Sequence, residues 1–352
     1  NGGAAFIVIY LLCLLGLGLP ILICEYAIGR GSNKSLGSAF KMLSPEGTRW
    51  HHFRWVAYAG NYLLMMFYTM VAGWMLNYFV YGLTGQLSGK NVEQIGVEFN
   101  NMLSTPSVMI FWTLVVVVIS ILVCSLGLQK GVEKISKVMM ILLFALMIIM
   151  AVNSLLLDGS SEGLKFYLVP DFSKMKEQGI GNVVFAAMSH AFFTLGLGIG
   201  SMEIFGSYLS RDCKLTGESI NVVILDTVVA LTAGIIIIPA CFAYGINPGA
   251  GPSLLFITLP NVFNQMPGGV IWEVLFFIFM AFAALSTVIA VFENIIAMTM
   301  DLFNCSRKRA SLVNLFVIAV LSMPAVLGYN VLSGVQPLGA GTTIMDLEDF
   351  IV

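Results

Sequence analysis

The sequence predicts an all-α membrane protein with one interrupted helix, and three observations predict it. Of 352 residues, 58% are hydrophobic and 10% charged, with 25 Phe and 20 Met, more apolar surface than a soluble core can bury. Eight apolar runs are long enough to cross about 30 Å of hydrocarbon. One of these runs carries three alternating glycines near its middle, a pattern that a continuous helix does not favour. The net charge of −2, with no basic patch or tail, excludes a nucleic-acid partner.

The runs lie near 4–27, 56–83, 107–127, 138–157, 181–209, 219–246, 272–303 and 310–332, and a ninth begins near 346. Alternating the intervening loops places 13 of the 17 Lys and Arg on one side, in loops near 28–54, 128–137, 210–218 and 304–309. The positive-inside bias makes that side cytoplasmic. The chain therefore begins outside, and a preceding helix is expected if the native N-terminus is cytoplasmic. It opens on Asn1-Gly2-Gly3 and stops at Ile351-Val352 inside an apolar run, so it reads as a single transmembrane domain over 1–352, incomplete at both ends. The outer loop 247–270, with Gly249, Gly251 and Pro252, an apolar turn from Leu254, then Pro260, Pro267, Gly268 and Gly269, reads as a lid dipping toward the membrane. The six cysteines sit in apolar runs or basic loops, which argues against a disulfide framework.

Polar groups at membrane depth are costly and mark cavities or partners. Glu25, His190, Asp226, Ser286 with Thr287, and Glu293 stand out. In the run Ser189-His190-Ala191-Phe192-Phe193-Thr194-Leu195-Gly196-Leu197-Gly198-Ile199-Gly200 the helix should break. Freed carbonyls and the Thr194 hydroxyl are hard oxygen ligands suited to an alkali cation, and the N–H groups at the restart suit an anion. Close helix packing through small residues explains the same glycines, and spacing alone does not choose. A lone carboxylate at Asp226 costs about 2.5 to 3.5 kcal/mol on insertion scales; a bound cation offsets that, and so does protonation with Thr227 as partner. Ala283, Ser286 and Thr287 offer a second set of oxygens one turn apart, although Ser and Thr also bond back to their own helix.

These motifs, in order, resemble the neurotransmitter:sodium symporter family, in particular its bacterial amino-acid branch of leucine-transporter-like carriers. The resemblance rests on Asn1-Gly2-Gly3 with Pro20 and Glu25-Tyr26-Ala27-Ile28-Gly29-Arg30, on Gly131-Val132-Glu133-Lys134, on Phe192 to Gly198, and on Phe256-Ile257-Thr258-Leu259-Pro260. Transporters of this family carry substrate and ions at discontinuous helices, so the glycine pattern here is a feature of the same resemblance. The resemblance implies an inverted-repeat fold running from the family's second helix to the start of its tenth. The family's first helix, which completes both sodium sites and holds the substrate carboxylate, would then precede residue 1.

By position, the resemblance implies a first sodium site drawing on Thr194 and Asp226, and a second drawing on Ala283, Ser286 and Thr287. It implies a substrate pocket lined by Leu64, Tyr68, Phe193, Thr194, Gly196, Ile199, Thr287 and Val291, with Tyr68 bonding the carboxylate and Phe193 capping the pocket. Glu25, Arg30, His190 and Asp349 are implied in gating or coupling, Asp349 at the outer gate and Arg30 at the inner one. Chloride-dependent members surround the anion with Tyr, Gln, two Ser or Thr, and Asn. Here Tyr10 and Thr194 remain, while His190, Ala230 and Asp226 replace Gln, Ser and Asn. An acid at 226 brings its own negative charge, so no chloride requirement is expected, and His190 facing Asp226 is expected to let the empty carrier return protonated. Ile141 stands where many relatives have Pro, which favours a continuous fifth helix over one that unwinds to release sodium.

The expected function is sodium-coupled symport of a small amino acid into the cell by alternating access. Gly196 and Ile199 leave room for a hydrophobic or aromatic side chain. The outer loop 84–106, lacking a cysteine pair and an N-glycosylation sequon, points to a bacterial inner membrane. An intramembrane hydrolase is set aside because no His-Glu-x-x-His or comparable metal-ligand spacing occurs. The alternative is a transport-inactive sensor or scaffold with the same fold.

Overall fold

The computed structural model describes residues 3–127, 132–245 and 252–352. Of the residues singled out in the sequence, Asn1, Gly2, Gly131, Gly249 and Gly251 lie outside the described residues. The described chain is helical. Among the described residues, seven helices are long and apolar enough to cross a membrane: Ala4–Ser32, Trp50–Thr84, Pro106–Ser125, Lys134–Leu156, Leu215–Ala243, Gly269–Phe303 and Arg307–Leu327. The chain divides into two compact units, one made of Asn1–Tyr58 with Ala151–Ala243, the other of Ala59–Met150 with Tyr244–Val352.

In the first unit the opening helix is not uniform, because Leu14–Gly18 forms a π-turn. Pro20 follows it, one residue past Leu19. Proline has no N–H for the carbonyl four residues back and its ring crowds that carbonyl, and a wider turn relieves both. Tyr10, Leu14, Leu22 and Tyr26 of this helix bury against Ala187, Ala191 and Leu195. The run 181–209 is two helices, Ile180–Thr194 and Ser201–Tyr208, as the glycine pattern predicts. Gly196, Gly198 and Gly200 between them all have positive φ, 60°, 87° and 79°, a region that L-residues with a Cβ rarely enter.

The restarted helix meets the opening helix backbone to backbone. A Cβ on Gly29 would lie 1.9 Å from the Glu203 carbonyl oxygen, and one on Gly206 would lie 2.7 Å from the Tyr26 backbone. On the long helix Leu215–Ala243, Gly234 makes room for the Tyr167 ring, whose hydroxyl donates to the Leu231 carbonyl at 3.2 Å. Tyr167 belongs to the short helix Ser160–Leu168, and burial raises its pKa.

The second unit is packed differently, around rings. Tyr78 sits 4.9 Å from Phe256 and 5.0 Å from Phe277, and Phe99 stacks on Phe256 at 5.2 Å. These separations suit the offset and edge-on geometries that aromatic quadrupoles prefer. Phe256 comes from the outer segment read as a lid, which is helical as a π-turn Leu254–Thr258 followed by Leu259–Gln265. The outer loop 84–106 likewise holds a helix, Val92–Ser104, started by a reciprocal capping box between Asn91 and Gln94. The run 310–332 stops earlier than its hydropathy suggests, at Leu327, just before Gly328. Lys134–Leu156 is continuous through Ile141, and Glu293 of Gly269–Phe303 forms a two-pronged ion pair with Arg307 at 2.7 and 2.8 Å.

Candidate functional site

The candidate residues fall into two groups, one in each unit. The first group centres on Asp226, within the apolar stretch of Leu215–Ala243. Its Oδ1 accepts the Thr194 hydroxyl at 2.8 Å and its Oδ2 accepts the Tyr10 hydroxyl at 3.2 Å. Both carboxylate oxygens are therefore held by hydroxyls from two other helices, rather than by the neighbouring Thr227 that the sequence offered. Bonds to an ionised acceptor are about twice as strong as neutral ones, so three helices converge on one carboxylate. Thr194 is the last residue of its helix, which sets its side chain at the mouth of the break.

His190 lies one turn before Thr194, with its ring 5.3 Å from Tyr10 and 6.3 Å from Phe6. Phe193 is exposed, while Gly196 and Ile199 sit partly buried within the break. Glu25 acts across the break itself, since its Oε1 accepts the Gly198 N–H at 2.7 Å. The break frees backbone N–H groups that an intact helix would pair, and a carboxylate beside the start of Ser201–Tyr208 also meets the positive end of that helix. Arg30, at the inner end of the same helix as Glu25, donates to the Cys213 carbonyl at 2.7 Å.

In the second group, Leu64 and Val291 are buried, and Tyr68 is partly buried. The Ser286 and Thr287 hydroxyls both turn back to the Ala283 carbonyl, at 2.8 and 3.3 Å. That is the back-bonding common for Ser and Thr in apolar helices, and it gathers three oxygens on one turn. Asp349 lies exposed on the helix Ile344–Ile351, whose start is capped reciprocally by Thr343 and Asp346.

Two contributors are faint in the sequence. Tyr10 is a direct partner of Asp226, and only its place among the family's anion ligands pointed to it. Glu203, buried on the restarted helix, is an acid in a mostly apolar segment whose signal is masked by the glycines before it.

The sodium:neurotransmitter symporter family model matches residues 1–107 and 92–340. The chain belongs to this family. It is a multi-pass membrane transporter and not an enzyme. Among relatives of this symporter, an uncharacterized sodium-dependent transporter of Bacillus subtilis, YhdH, is 36% identical over 100% of this chain and 76% of its own. The sodium- and chloride-dependent taurine transporter of Canis lupus familiaris is 25% identical over 95% of this chain and 60% of its own. The crystal structure of MhsT in complex with L-phenylalanine matches with a TM-score of 0.90 and 38% identity, covering 100% of this chain and 78% of that one. The symporter thus has the leucine-transporter-like fold that its motifs implied.

Proposed function

We propose that this symporter carries a hydrophobic or aromatic amino acid inward with sodium and without chloride, across a bacterial inner membrane. The observation that carries the reading is Asp226 with both oxygens engaged, by Thr194 and Tyr10. A fixed carboxylate beside the break supplies the negative charge that a chloride ion would otherwise bring to a sodium ion. Sodium is cargo here, and its binding at Thr194 and Asp226 loosens the hydroxyls from the carboxylate and ties Leu215–Ala243 to the broken helix. The second sodium takes the oxygens of Ala283, Ser286 and Thr287. By the family resemblance, Tyr68 with Thr287 holds the substrate's polar end, beside Leu64 and Val291 of the same unit. The 38% identical relative forms a complex with L-phenylalanine, which supports an aromatic substrate here.

When sodium leaves, Asp226 regains its two hydroxyl donors, and His190, one turn before Thr194, is the group that takes up the returning proton. Glu25 keeps the break open by occupying the Gly198 N–H, while Arg30 and Asp349 serve at the inner and outer gates.

The test is uptake of labelled amino acids by the full-length transporter in liposomes under an inward sodium gradient, with chloride present or replaced by gluconate. The expected result is sodium-driven accumulation of a hydrophobic or aromatic amino acid irrespective of chloride. Asp226→Asn should lose uptake or become chloride-dependent. Binding of substrate without sodium-driven accumulation would instead support a sensor with a transporter fold.

A further inference from the structure

The segment joining the first two membrane-spanning helices carries aromatic and basic side chains that neither the cation sites nor the substrate pocket uses. Between 33 and 58 there are Lys34, Lys41, Arg49 and Arg54 against a single acid, Glu46. Its short helix Leu36–Leu43 buries Leu36 and Ala39 on one face and exposes Lys41, Met42 and Leu43 on the other. Phe40 ties this helix to the start of the second span, with its ring 6.4 Å from Trp50 and edge-on to Phe53 at 5.8 Å. The platform so formed presents Trp50, 63% exposed, and Trp55, 46% exposed. Both lie in the first turns of the span Trp50–Thr84, at the depth where tryptophan favours the headgroup layer.

Arg54 makes the surface selective rather than merely adhesive. Its guanidinium carbon lies 5.3 Å from the centre of the Trp55 ring, a cation–π contact that holds the charge beside an exposed indole. A guanidinium takes a phosphate as a planar, two-pronged partner. The segment also lies on the side holding 13 of the 17 Lys and Arg, the side that faces the cytoplasmic leaflet with its anionic lipids. We propose that residues 41–56 form a seat for an anionic phospholipid of the inner leaflet. Its headgroup phosphate is held by Arg54, with Arg49 and Lys41 adding positive charge, and its acyl chains lie along Trp50, Trp55 and Val56. This site is independent of which solute is carried.

The test places the full-length transporter in phosphatidylcholine nanodiscs doped with equal fractions of either brominated phosphatidylglycerol or brominated phosphatidylcholine, and reads quenching of tryptophan fluorescence. Phosphatidylglycerol should quench more strongly. The difference should vanish in Trp50→Phe/Trp55→Phe and should weaken by about fivefold in affinity for each basic side chain removed from Arg49 and Arg54, the effect of one Lys or Arg near an anionic surface. Lys308→Gln, in a different basic loop, should leave it unchanged. Equal quenching of the wild type by the two lipids overturns the proposal, as does a preference that survives Arg49→Gln/Arg54→Gln. The wild-type comparison decides on its own if the double variant fails to fold.

Discussion

The two units solve the problem of packing helices in a membrane in opposite ways. In the first, helices touch through absences: Gly29 and Gly206 let backbone meet backbone, Gly234 admits Tyr167, and Asp226 binds hydroxyls across helices. In the second, they touch through bulk, with Tyr78, Phe99, Phe256 and Phe277 filling the space and the Glu293–Arg307 pair closing it. The burial of the spans follows this only in part, since the most apolar window of Lys134–Leu156, mostly in the second unit, is 28% buried. Only 22% and 17% of the most apolar windows of Ala4–Ser32 and Leu215–Ala243 are buried, against 61% and 50% for Trp50–Thr84 and Gly269–Phe303. Backbone contact couples the touching helices directly in the first unit, because few side chains lie between them. The interrupted helix and its carboxylate lie in that unit.

This contrast can be broken by experiment. The largest effect is expected from Phe256→Ala, which empties the centre of the ring cluster and should cost about 3 to 5 kcal/mol, read as a fall in melting temperature of the purified transporter. Gly29→Ala should cost about 1 to 3 kcal/mol by overpacking, because the added methyl meets a carbonyl that cannot swing aside as a side chain would. If Gly29→Ala proves the more damaging, the second unit is not the more strongly packed of the two.

The smallest effect should come from the half-buried surface pair Lys90–Glu98, at 2.6 Å. The Lys90 side chain holds the Glu98 carboxyl below its ordinary range, chiefly by hydrogen bonding. A lowered folded pKa means the contribution is present above the unfolded value and is lost as pH falls through the folded one. Glu98→Gln should therefore cost less than about 1 kcal/mol at neutral pH and nothing in acid, as measured by melting at the two pH values.

Much of this was legible in the sequence, for reasons that are local. Hydropathy found the spans because length and composition suffice, and alternating glycines marked the break because positive φ demands them. Asn91 and Gln94 spelled a helix start within a segment read only as a loop. The early end of the run 310–332 was missed because hydropathy does not register the helix stopping before Gly328. What stayed hidden was pairing at a distance. No local pattern joins Tyr10 to Asp226, 216 residues apart, or Glu25 to the Gly198 amide, and it was the family resemblance, not spacing, that brought Thr194 and Asp226 together. The aromatic cluster was equally hidden, since a Phe at membrane depth looks the same facing lipid as facing Tyr78.

The contact between Gly29 and Glu203 has a mechanical meaning. Two helices that touch at their backbones have no cushion of rotamers between them, so neither can slide or roll on the other by a fraction of a turn. Leu19–Ser32 and Ser201–Tyr208 must then travel as a single rod, and the compliance of the broken helix is confined to the six residues 195–200. A force applied at the inner end of that rod, near Arg30, is delivered without slack to the Gly198 amide that Glu25 grips.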